Sequence, residues 1–144
     1  MKYLIYVSQA VHPMSKDELA DILQHSRKWN TVNSITGVLI YRYLPQEKRG
    51  NFLQLIEGDE DMIDRCWERI AADERHHTKV VLESGETDIR MFPDWSMGFR
   101  NIEQDELVSF DGYTDLGSEA FWERAQAGGL PDALDLMKSF YSDI

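Results

Sequence analysis

The chain has 144 residues, 42% hydrophobic and 28% charged, which suits one domain with its own core plus an appendage and excludes collagen-like, low-complexity and disordered classes. Its net charge of −11 argues against a nucleic-acid backbone or an anionic membrane surface as the main partner. A single cysteine, Cys66, rules out an internal disulfide, and no apolar run approaches membrane-spanning length, so the expectation is a soluble cytoplasmic protein.

Tyr3 to Val7 is rich in β-branched and aromatic residues and predicts a short buried strand, too short for a signal peptide and ended by His12-Pro13. Ser15 opens a capping box with Glu18, and Leu19, Ile22, Leu23 and Ser26 follow at helical spacing, which predicts a helix from 16 to about 29. Ser34 to Tyr41 reads as a second strand, Pro45 to Gly50 as a charged turn, and Asn51 to Ile56 as a third strand that returns as a hairpin. Gly58-Asp59 ends that strand and caps a second helix, whose apolar face is Met62, Ile63, Cys66, Trp67 and Ile70. Lys79 to Glu83 and Met91 to Phe99 predict the fourth and fifth strands.

The order is β-α-β-β-α-β-β. Its first six elements fit a ferredoxin-like α+β fold, with two helices on one face of an antiparallel sheet. Residues 103–144 are punctuated by glycines and Pro131 and fit two short helices, over 118–127 and 131–142. The expected division is a domain over 1–102 followed by a C-terminal helical extension over 103–144. No internal repeat, Gly-rich phosphate loop or Gly-x-Ser-x-Gly motif is visible, and the His76-His77 pair is a poor metal signal because adjacent side chains diverge.

Gln54 is a polar amide in the otherwise apolar run Phe52-Leu53-Gln54-Leu55-Ile56, and burial there demands a partner. Tyr6 punctuates another strand. A phenol can give an electron and a proton, and an amide both donates and accepts, so the pair points to redox or photochemistry more than to hydrolysis. Taken alone, the two residues also read as a core tyrosine with a satisfied partner.

Several strings recur together in one order: Tyr6 followed by Ser8 and Ala10, Ser26-Arg27 leading to Asn30, Ile35-Thr36-Gly37, Phe52 to Gly58, Asp73-Glu74-Arg75-His76, and Trp95-Ser96-Met97. Over about residues 1–100 the chain resembles a BLUF domain, a flavin-binding sensor of blue light. The resemblance implies FAD as cofactor, with FMN as the other flavin, and a photoactive set of Tyr6, Gln54, Trp95 and Met97. It implies that Asn30 pairs with the edge of a flavin pyrimidine ring, whereas taken alone Asn30 reads as a helix C-cap. Arg75 and His76 would contact the flavin and its ribityl chain, and Arg75 could meet phosphate. Arg27 reads equally as a cofactor contact or a solvated helix arginine. Ile22, Ile35, Leu39 and Ile63 would wall the flavin slot, a pattern that core packing alone also gives, and Cys66 reads as a small core residue. Trp95 and Met97 alternate along the expected fifth strand and so share a face.

Two departures stand out. Trp29 occupies a position where the family often has a second polar ligand, and the 45–50 turn is longer and more charged than usual. The expected function is a stand-alone photoreceptor, not an enzyme, since about forty residues beyond the sensor cannot hold a catalytic output domain. The signal would then pass to a separate protein or change self-association as a homo-oligomer. The alternative is a flavin-dependent oxidoreductase on a ferredoxin-like sheet, although no nicotinamide fingerprint is present.

Overall fold

The computed structural model of the protein describes residues 1–44, 48–94 and 96–101. The two helices expected over 118–127 and 131–142 lie outside the described residues, as do Trp95 and residues 45–47 of the expected turn.

The elements are β1 (Lys2–Ala10), α1 (Lys16–Val32), β2 (Thr36–Leu44), β3 (Arg49–Gly58), α2 (Glu60–Ala72), β4 (His76–Glu86) and β5 (Gly98–Asn101). They build one five-stranded sheet in the order β4-β1-β3-β2-β5. The first four are antiparallel to their neighbours, as the ferredoxin-like arrangement requires, while β5 runs parallel to β2. Both helices share one buried cluster with Leu4, Tyr6, Leu39, Phe52 and Ile56, so they cover the same face of the sheet. Ile5, Leu53, Leu55, Val38 and Ile40 point the other way and are equally inaccessible, which makes β3 a strand buried on both faces.

The capping box at the start of α1 forms as expected, with Ser15 Oγ accepting from the Glu18 amide and Glu18 Oε1 accepting from the Ser15 amide, both at 3.1 Å. The helix runs three residues beyond the expected end. Asn33 is its C-cap and Ser34 takes the left-handed conformation, φ 55°. Asn30 therefore lies inside the last turn, 2% exposed, and is not the cap that its position taken alone suggested.

The fifth strand differs most from expectation. It begins at Gly98 rather than Met91, and Met97 precedes it, so Met97 is not placed by strand alternation. Pro93 has no amide to offer a ladder, and the amides of Met91 and Phe92 are taken by Glu57 at 2.7 and 2.8 Å. The linker instead crosses from one edge of the sheet to the other, a span of four strand spacings, roughly 19 Å.

Pairing between β1 and β4 slips twice, once between Ile5 and Tyr6 and once between Val7 and Gln9. The second slip leaves Thr78 and Lys79 opposite Ser8, with Thr78 at φ 52°. These bulges bracket Tyr6 and Ser8, twisting the strand where it carries its polar side chains.

Candidate functional site

Register explains how Gln54 gets its neighbours. It is paired with Tyr6 of β1 on one side and Leu39 of β2 on the other, and all three face the helices. The Tyr6 hydroxyl donates to Gln54 Oε1 at 2.5 Å, and Gln54 Nε2 donates to the Met97 sulfur at 3.4 Å. Met97 has no hydrogen to offer, so the thioether selects the NH2 end of the amide and leaves the oxygen for Tyr6. The line Tyr6–Gln54–Met97 is buried throughout. Burial pushes the Tyr6 phenol well above its ordinary range, and Cys66 and Asp73 add to that, so the phenol keeps its proton and donates it in the hydrogen bond to Gln54.

A cavity of about 390 Å³ opens beside this line, between α1 and α2. Its apolar walls include Ile22, Leu39, Phe52 and Ile70, and its polar lining includes Asn30, Gln54, Arg69, Arg75 and His76. The size and the mix of flat apolar walls with a few convergent polar groups are those of a cofactor site. Two of those polar groups have capacity to spare. Asn30 donates from Nδ2 to the Ser96 carbonyl at 2.7 Å, while its Oδ1 accepts no hydrogen bond among the described residues. The Arg69 guanidinium lies over the Trp29 ring at 4.5 Å and makes no hydrogen bond or ion pair among the described residues. A planar heteroaromatic ring with carbonyls and an N–H along one edge suits this donor and acceptor set.

Of the residues singled out from sequence, Tyr6, Ile22, Asn30, Leu39, Gln54, Arg75 and His76 line the cavity together. Ile35 and Ile63 do not; they are 1% and 0% exposed within the core. Arg27 is also absent from the lining, and its Nε donates instead to the Met97 carbonyl at 3.0 Å. Met97 meets Gln54 through its sulfur and does not line the cavity, and Trp95 lies outside the described residues. Trp29 does not line the cavity either; it packs on the core and supports Arg69. His25, Arg69 and Asp73 are lining residues to which the sequence assigned no role. For Arg69 the available signal was its place three residues after Cys66, on the face that α2 turns inward.

Ion pairing at the rim is local. Arg75 grips Asp73 through Nε and Nη2, the shortest contact 2.6 Å, and reaches Asp21 of α1 at 3.5 Å. Burial alone would raise the Asp73 carboxyl, but the bonds from Arg75 outweigh it and hold it below the usual range. His76 Nε2 donates to the Ile70 carbonyl at 3.0 Å, which leaves Nδ1 as acceptor for the Ser8 hydroxyl at 2.6 Å. This tautomer is neutral, in keeping with burial pushing the imidazole below its ordinary value. Cys66, also in the lining, is pushed up to about 11 by burial against the opposing charge of Arg69, so its thiol stays protonated.

The family model described as BLUF, sensors of blue-light using FAD, matches residues 1–98. The chain belongs to this family. Subunit beta of the photoactivated adenylate cyclase of Euglena gracilis is 29% identical over 117 residues, 81% of this chain and 13% of that protein. The Euglena longa counterpart is 30% identical over the same shares. This BLUF chain thus spans about an eighth of the length of those curated relatives. Among solved structures, a bacterial light-regulated adenylyl cyclase is 36% identical with a TM-score of 0.63, covering 73% of this chain and 29% of its own. BlrB, a BLUF protein in its dark state, is 26% identical with a TM-score of 0.69, covering 99% of this chain and 96% of its own. Klebsiella pneumoniae BlrP1, solved with FMN and cyclic diGMP, is 22% identical with a TM-score of 0.72 and speaks to the fold alone. The BLUF domain is a blue-light sensor that uses flavin, and the oxidoreductase alternative has no counterpart among these relatives. No helix among the described residues is long and apolar enough to cross a membrane.

Proposed function

We propose that the cavity holds one non-covalent FAD and that the Tyr6–Gln54–Met97 line turns light absorption into a hydrogen-bond rearrangement. The observation that carries this reading is the Gln54 amide, buried at the cavity wall with a phenol on its oxygen and a thioether on its nitrogen. Asn30 Oδ1 supplies an acceptor for a ring N–H, and Arg69 supplies guanidinium donors for a ring carbonyl. Ile22, Leu39 and Phe52 would pack on the ring faces, and Arg75 and His76 would hold the cofactor's tail.

When bound, a flavin absorbs blue light and becomes a strong oxidant. Tyr6 is the buried phenol that can give an electron toward the cavity, and its proton has Gln54 Oε1 as its acceptor. Return of that electron and proton to Tyr6 leaves Gln54 turned over or tautomerised, because its two ends have opposite hydrogen-bonding character. The turned amide loses Met97 as acceptor and presents a different group to the cavity. Met97 is thereby released, and with it the entry to β5.

Residues 1–102 are read as the sensor and residues 103–144 as a helical extension that passes the change to a separate protein or to a second copy. The setting is read as cytoplasmic, and the unit as a sensor rather than an enzyme. FAD is preferred over FMN because the family is described by it. Dark, blue-lit and recovered absorption spectra of the purified protein test the reading. A yellow protein with a small, reversible red shift is expected, with FAD as the extracted pigment. A colourless protein that takes up no flavin on refolding overturns it.

A further inference from the structure

Three residues beyond Gln54, on the opposite face of β3, sits a second buried polar side chain that the photochemistry does not use. Glu57 is 0% exposed. Its carboxylate accepts from the amides of Met91 and Phe92 at 2.7 and 2.8 Å and from the Thr36 hydroxyl at 2.9 Å. Arg90 closes the cluster, donating to the Glu57 carbonyl at 3.3 Å and to Thr36 Oγ1 at 2.9 Å. From sequence, Glu57-Gly58 reads as a cap and turn; in the structure Glu57 fixes the linker between β4 and β5.

That linker carries Met97. Its far end is held by Arg27 on the Met97 carbonyl and by Asn30 on the Ser96 carbonyl. The sulfur of Met97 therefore meets Gln54 Nε2 because the linker is pinned on both sides of the switch.

We infer that Glu57 is a positioning residue for the photoswitch, acting through the linker to seat the Met97 sulfur on Gln54. The inference rests on the photoreceptor reading above. It assigns a division of labour on one strand. Gln54 moves, and Glu57 supplies the fixed point against which that movement displaces Met97. A carboxylate suits a fixed point because it accepts several strong bonds at once and has no donor to misplace.

The test is a double-mutant cycle on the dark-recovery rate of the flavin-loaded full chain. Glu57→Gln keeps the size, but its NH2 faces one of the two backbone amides, so one anchor is lost. With the Met97 contact loosened, return to the dark arrangement is expected to slow about fivefold. In a Met97→Ala background the same substitution is expected to change the rate by less than about twofold, because its route of action is gone. An unchanged or faster rate in the single variant overturns the inference, as does an equal factor in both backgrounds. If Glu57→Gln does not accumulate folded, Thr36→Val removes one donor from the carboxylate. It is expected to slow recovery about twofold with the same dependence on Met97, and a rate equal to the wild type's overturns the inference. Failure of the photoreceptor reading is distinct, since the unmutated protein would then show no red-shifted state at all.

Discussion

Gln54 and Glu57 occupy the same central strand, three residues apart, and both are buried, yet their surroundings differ in kind. Gln54 faces the helices and the cavity, with one neutral donor and one weak thioether acceptor. Glu57 faces the other way and gathers two backbone amides and a hydroxyl on a single carboxylate. Hydrogen bonds to a charged group are roughly twice as strong as neutral ones, and a sulfur acceptor is weaker than either. The strand thus carries a polar group held by neutral bonds beside one held by charge-assisted bonds. On the proposed reading, a strand buried on both faces can hold a switch because its rigidity is supplied by the strand and by the opposite face.

Removing the exchangeable side should have the largest effect. Gln54→Leu leaves no amide to reverse and Tyr6→Phe leaves no electron and proton to give, so each variant is expected to bind flavin but show no red-shifted state. Steady-state difference spectra before and after blue light check this, and a normal photocycle in either variant contradicts the mechanism. Next in size is Asn30→Ala. It removes the Oδ1 acceptor offered to the cavity and leaves the Ser96 carbonyl without its donor. Flavin affinity, measured by titration of the apoprotein, should weaken by on the order of 1–3 kcal/mol. An unchanged affinity would place the flavin edge elsewhere.

The switch side was more legible in the sequence than the anchor side. Gln54 stands out because an amide interrupts an apolar run, and Ser15-Lys16-Asp17-Glu18 announces the start of α1 by a local rule that tertiary contacts did not overturn. The ferredoxin-like fold class followed from the order of the elements. The β4–β5 linker was misread because Trp95-Ser96-Met97-Gly98-Phe99 alternates with period two, a strand signal, whereas the amides of Met91 and Phe92 are claimed by a side chain over thirty residues earlier. No local pattern announces a long-range carboxylate-to-backbone bond. Arg27 and Arg69 were hard to place for a related reason. Each lies on a helix, and only tertiary structure shows that one reaches a carbonyl of the linker while the other rests on Trp29 at the cavity rim.

A smaller effect is expected from titrating His76, which belongs to the cavity side. Its imidazole is pushed below its ordinary value, chiefly by burial, and its neutral tautomer joins Ser8 to the end of α2. The unfolded chain takes up a proton near pH 6.5 while the folded one does not, so stability falls as pH drops from about 6.5 toward the lower folded value. Each unit of that interval contributes about 1.4 kcal/mol at most. Thermal unfolding between pH 7.5 and 5 should therefore show a steeper loss for the unmutated protein than for His76→Gln, which does not titrate. Parallel slopes would mean that the folded state accommodates the imidazolium. Glu57 should act with the opposite sign, since burial raises its carboxyl and stability then declines as pH rises from about 4.5 through the folded value.

The smallest effect is expected at Trp29, and it sharpens the comparison by asking how far the cavity side extends. Trp29 replaces a polar residue common in the family, yet the indole is directed onto Arg69 rather than into the cavity. A guanidinium over an indole at a partly exposed site is stabilised by about 0.5–1 kcal/mol. Trp29→Asn should accordingly leave the fold intact, because the ring is only partly buried against the core. It frees Arg69 to sample other positions and places a new amide within reach of the rim. Dark recovery should change by roughly two- to fivefold, the rate equivalent of that lost contact. Far-ultraviolet circular dichroism and recovery kinetics on the same sample separate the two effects. An unchanged rate with intact structure would show that Arg69 does not touch the environment that sets the lifetime of the lit state, and would confine the switch to the line from Tyr6 to Met97.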